Sequence, residues 1–201
     1  MSSINKKIPV LIAAGAAGGG SIGVAIGGAV AANIINATAI TKPQEWEADN
    51  LAFDYMVNSR FNPGACAAIW QRVMEQMGVQ KHNFVGDIFS PSDHPGHKER
   101  RDNYNKKLFE YSGNHVQVTD GTVMVNGKSF VAPADTDAAS GAERAYLIAG
   151  RLARVYANGG GAGSYAANDG GSIMLGGQYI MACTSDDPDA DTLVKLLNAI
   201  R

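Results

Sequence analysis

The sequence predicts an α+β fold, and three features carry that expectation. Residues 43–111 keep the apolar spacing of amphipathic helices. Beyond His115, short β-rich runs are punctuated by the turn dipeptides Asp120-Gly121 and Asn126-Gly127. Each of two strand pairs in this last part is followed by a helical segment, an order ββαββα that predicts a small sheet covered on one face by two helices.

The elements follow in order. Residues 1–42 form a Gly/Ala-rich segment with no ionisable side chain from Ile8 to Thr41. Three readings of it stay open. Lys6 and Lys7 before IPVLIAAGAA suit an export signal. The uncharged length exceeds the roughly 20 residues of a spanning helix, which suits a membrane-apposed hairpin or span. Gly15, Gly19, Gly23 and Gly27 recur every fourth residue, which suits a buried, closely packed helix pair. Gly18, Gly20 and Gly23 also spell GxGxxG, but the first acid after them is Glu45. A dinucleotide site wants an acid about 20 residues on, so the motif is set aside.

Thr41 and Pro43 signal a helix start, with Glu45 and Glu47 in the first turn, where the helix dipole favours acid. Asn62-Pro63 starts a second helix whose apolar face is Cys66, Ile69, Trp70, Val73, Met74 and Met77, with Gly78 as its stop. A charged helix runs from about Gly96 to Tyr111. In the last part, residues 113–201, Thr122–Val131 reads as a strand hairpin; Gly121 stands six residues before Gly127, the wrong spacing for a phosphate loop. Ser140 caps a helix with Glu143 as a capping box, and Tyr146, Ile148, Ala149, Leu152, Ala153 and Val155 supply its buried side. NGGGAGSYAANDGG reads as a mobile loop, and SIMLGG and YIMACTS as strands before a helix from Ala190 to Ile200. Asp186, Asp187, Asp189 and Asp191 lack the glycine and distal glutamate of a calcium loop and read as a helix start.

Composition excludes several classes. Lys and Arg number 17 against 19 acids, so no basic excess exists to neutralise phosphates, and nucleic acid is not expected as a partner. Two cysteines, Cys66 and Cys183, cannot build a disulfide framework or a four-thiolate metal site.

The string Glu45-Trp46-Glu47-Ala48-Asp49 and the element Ser92, His94, Pro95 and Arg100 carry a resemblance. They resemble the ExxAD and S-x-HP…R elements of the HtpX/BepA-like zinc metallopeptidases, gluzincins related to the CAAX prenyl proteases. The resemblance spans roughly residues 43–111, and it implies that residues 43–112 are the helical C-terminal portion of a gluzincin domain, followed by an accessory domain. It implies that Glu45 is a zinc ligand and that Asp49 orients a zinc-bound histidine from one turn later. His94 would approach the cleft from a loop, with Arg100 in support. The implied activity is peptide-bond hydrolysis on protein or peptide substrates, in cell-envelope quality control, at an envelope or membrane-associated location.

The chain departs from that family in one respect: no HExxH occurs in it. Zinc catalysis needs three protein ligands, an open position for water and a general base, and one ligand of that set is present. The expectation is therefore zinc in a full-length parent, none bound to this chain alone, and no cleavage by it alone. The alternative is a non-catalytic envelope or structural binding protein on a decayed peptidase scaffold. Self-association through the Gly/Ala-rich segment, or contact with a membrane surface, is expected in either case.

Overall fold

The computed structural model describes residues 43–80, 96–161 and 163–201. The segment 1–42 and the loop carrying Ser92, His94 and Pro95 lie outside the described residues, so the three readings of the former and the placement of the latter do too. The described residues 49–80, 96–161 and 163–201 belong to one compact unit.

Three helices come first. Helix α1 covers residues 43–57, and its buried side chains Asp49 and Phe53 lie one turn apart. At its end Asn58 Nδ2 donates to the Asp54 carbonyl and Ser59 Oγ to that of Met56, adding to the backbone N–H bonds the same two residues make there. Helix α2 is Ala65–Gln80. Asn62 fixes its entry, accepting from Gly64 N–H and donating to the Leu147 carbonyl. Helix α3 is His97–Tyr111, with Glu99 accepting from the Gly96 N–H at its start. Ser112 Oγ then accepts from the backbone N–H of His115 and Val116 and hands the chain to the first strand.

Two corrections concern α2. The helix continues two residues past Gly78, which keeps helical geometry with open space around it and makes no left-handed cap. Its buried side chains are Ala67 and Ala68, while Ile69 and Met77 are exposed. Cys66 and Trp70 of the expected face are partly buried against the core.

The remainder is βββαβββα. Strands β1 (Val116–Thr119), β2 (Thr122–Val125) and β3 (Lys128–Val131) form one antiparallel sheet. Helix α4 (Gly141–Ala157) follows, and β4 (Ala166–Asp169), β5 (Ser172–Leu175) and β6 (Gln178–Ala182) form a second sheet before α5 (Ala190–Ile200). The expected single sheet with pairs of strands is thus replaced by two three-stranded meanders. The physical reason lies in the turns. Asn126-Gly127 and Gly176-Gly177 adopt positive φ of 52°, 75°, 59° and 76°, so each reverses the chain between two short strands. Gly170-Gly171 does the same at 58° and 86°, which turns AAND, inside the expected mobile loop, into β4.

The two meanders repeat one another. Pairs Val116↔Val125 and Val123↔Val131 recur as Ala166↔Leu175 and Ile173↔Met181, fifty residues on, and the register shift at Val123/Met124 recurs at Ile173/Met174. Helix α4 packs on β1 and β2 of its own repeat and on β6 of the other; α5 packs on β4 and β5 and on β3. One apolar core runs from Phe53 and Leu108 through Val123 and Leu152 to Ile173 and Leu197, so residues on both sides of position 112 share an interior.

Helix α4 matches its expected burial throughout: the six side chains from Tyr146 to Val155 are all in the core. Its cap differs in part. Ser140 Oγ accepts from Glu143 N–H at 3.1 Å, but the Glu143 carboxylate accepts from Arg72 instead of reaching back to Ser140. The acid cluster is accounted for without calcium: Asp189 caps α5 by accepting from Thr192 N–H, and Asp187 pairs with Arg144.

Candidate functional site

Asp49 is buried, 3% exposed, on the side of α1 that meets α3. A bare carboxylate there would be costly, so the site is defined by what answers it. Arg100 donates twice, Nε to Oδ2 at 2.7 Å and Nη2 to Oδ1 at 2.5 Å. Tyr104, one turn later on α3, donates its hydroxyl to Oδ1 at 2.8 Å. A carboxylate offers about four acceptor directions, and three are used among the described residues. The fork geometry of the guanidinium makes this pair bidentate and directional. Truncating one partner of such a buried pair leaves an uncompensated charge, which costs about 3–5 kcal/mol.

The surroundings are aromatic. The Arg100 guanidinium lies 4.0 Å over the Trp70 ring, and Trp70 stacks on His97 with centroids 5.2 Å apart. Nδ1 of His97 is buried and has no hydrogen-bond partner among the described residues. Burial, and secondarily the charge of Asp49, pushes the Cys66 thiol up to about 11, so it is a packed thiol and not a nucleophile. Burial, with the hydrogen bond to Asp49 next, likewise pushes the Tyr104 hydroxyl upward. Neither group exchanges a proton near neutrality.

Of the four site residues expected from sequence, the structure joins Asp49 and Arg100. Glu45 sits on α1 one turn before Asp49, and His94 lies outside the described residues. In this chain the Asp49 carboxylate orients an arginine and a tyrosine. Tyr104 is the member that sequence reasoning missed; its signal is the four-residue spacing from Arg100 on one helix.

Among the described residues no group of three or more His, Cys, Asp or Glu is arranged to hold a metal ion. The positive guanidinium on Asp49 also opposes a cation beside it. The described residues therefore do not by themselves fit zinc. Among them no helix is long and apolar enough to cross a membrane. Comparison with family models, with curated proteins and with solved structures finds no match for the chain.

Proposed function

We propose that this chain is the C-terminal part of a zinc metalloendopeptidase of the HtpX/BepA-like kind, acting on protein or peptide substrates, and that by itself it does not cleave them. One observation supports the reading: Asp49 and Arg100 belong to the two sequence elements behind the resemblance, stand 51 residues apart, and meet as a buried bidentate pair. In this reading Glu45 is one zinc ligand, the Asp49–Arg100 clasp sets the helix that carries it, and His94 borders the cleft. The remaining ligands and the general base belong to an HExxH segment of the parent protein.

The non-catalytic alternative draws on a different observation. Around Asp49 the Arg100 guanidinium and the Tyr104 hydroxyl occupy the carboxylate, which suits a structural clasp on a scaffold kept for binding.

The test begins with the gene. An in-frame HExxH upstream of Met1, followed by about ten residues, is expected. The extended product should hold zinc and cleave casein, and Glu45→Gln should weaken zinc binding at least about tenfold. A stop codon close upstream, or stoichiometric zinc retained by residues 1–201 alone after dialysis, overturns the proposal.

A further inference from the structure

A cavity of about 450 Å³ shares no lining residue with the Asp49 cluster. Its walls carry three arginines, Arg60, Arg151 and Arg154, together with Val155, Gln178 and Tyr179, and no aspartate or glutamate. That charge distribution is unusual within this chain. Arg72 pairs with Glu143, Arg100 with Asp49, Arg101 with Asp102 and Arg144 with Asp187. Arg60, Arg151 and Arg154 make no ion pair with the described residues.

Two of the three are also fixed in place. Arg151 Nη1 donates to the Ile180 carbonyl at 2.9 Å, and its guanidinium lies 4.8 Å over the Tyr179 ring. Arg154 Nη2 donates to the carbonyls of Phe61 at 2.6 Å and Met56 at 3.0 Å. Each is anchored by one nitrogen, and its Nε and other Nη have no acceptor among the described residues. Burial lowers the Arg151 pKa, the sign of a cation short of water, and the nearby Tyr179 only partly opposes it. A guanidinium stays charged there, so an anion would offset the lost hydration.

We propose that this cavity binds a small organic oxyanion, a carboxylate or a phosphate ester, between Arg60, Arg151 and Arg154. Guanidinium forks match both groups bidentately. The volume lies in the range of small-molecule sites and far exceeds the roughly 30 Å³ of a water. Tyr179 and Val155 supply a partly apolar wall for the body of the ligand. This site does not depend on the peptidase reading.

The test is calorimetric titration of the full chain with phenyl phosphate, benzoate and the neutral benzyl alcohol. At least one anion should bind with one-to-one stoichiometry, and the tighter of the two identifies the group. Arg60 is exposed and makes no hydrogen bond to the described residues, so Arg60→Gln keeps the fold; it should weaken binding about tenfold, the loss of one charged hydrogen bond. Arg151→Lys keeps the charge, loses the fork and should also weaken it. Lys106→Gln, on α3 outside the cavity, should leave it unchanged. The proposal is overturned if neither anion binds, if benzyl alcohol binds as well as they do, if both arginine variants match wild type, or if Lys106→Gln weakens binding as much.

Discussion

Asp187 receives hydrogen bonds from Arg144 Nη1 and Nη2, from the backbone N–H of Ala134 and Thr184, and from Thr184 Oγ1. Burial alone would raise its pKa, but these donors outweigh it, Arg144 first, and hold the carboxyl down at about 2. An unfolded aspartate titrates near 3.9, so the folded state binds this proton more weakly. The stabilisation is complete above about pH 4 and is lost as pH falls toward 2; a shift of this size is worth about 2 kcal/mol. The urea midpoint should therefore drop between pH 5 and 2, and Asp187→Asn should start lower at pH 7 and drop less. Equal slopes for the two proteins would count against this account. Legibility in sequence differed sharply between such residues. Asp49 and Arg100 were visible because each stood in a patterned string. Arg60, Arg151 and Arg154 were not, because their convergence depends on how α4 packs against the start of α2, which no local pattern encodes.

That packing turns on two glycines. A Cβ on Gly150 would stand 2.2 Å from the Gly64 nitrogen, and one on Gly64 would stand 2.0 Å from the Tyr146 carbonyl oxygen. Backbone cannot give way as a side-chain tip can, so α4 and the approach to α2 cross at a point with no room for a methyl group. Gly150→Ala gains up to about 1 kcal/mol in helix propensity but meets an overpacking cost of about 1–3 kcal/mol or more, and the second wins. Gly78→Ala, in open space on α2, has only the gain. Chemical unfolding should show the first variant less stable than wild type and the second equal or more stable. The opposite order would mean that the crossing relaxes easily. At this scale the sequence was read well where one face is wholly apolar, as in α4 and α5. It was misread where glycine carried the meaning: Gly78 resembled a stop and Gly170-Gly171 a loop, while the first continues a helix and the second turns a hairpin.

At the scale of the molecule the repeated meander dominates. It was present in the sequence, since Gly121, Met124 and Gly127 recur as Gly171, Met174 and Gly177, but the glycine-rich run before the second copy hid the period. Because α4 covers β6 and α5 covers β3, each repeat relies on the other's helix to cover its third strand. Their buried strands should open together. Hydrogen exchange at Val125 in β2 and Ile173 in β5 should report the same opening free energy, which tracks global stability. Separate values would mean two independent units.

The exchange of helices also has a bearing on descent. A homodimer of a single βββα unit, closed about a twofold axis, would make this same set of contacts, each subunit's helix sealing the edge of its partner's sheet. Fusing two such genes in tandem yields the connectivity seen here, with the glycine-rich stretch after Asn158 as the suture. Within one chain the two copies need not match. The cavity lined by Arg151, Arg154 and Tyr179 is accordingly placed where the helix of the first copy meets the last strand of the second.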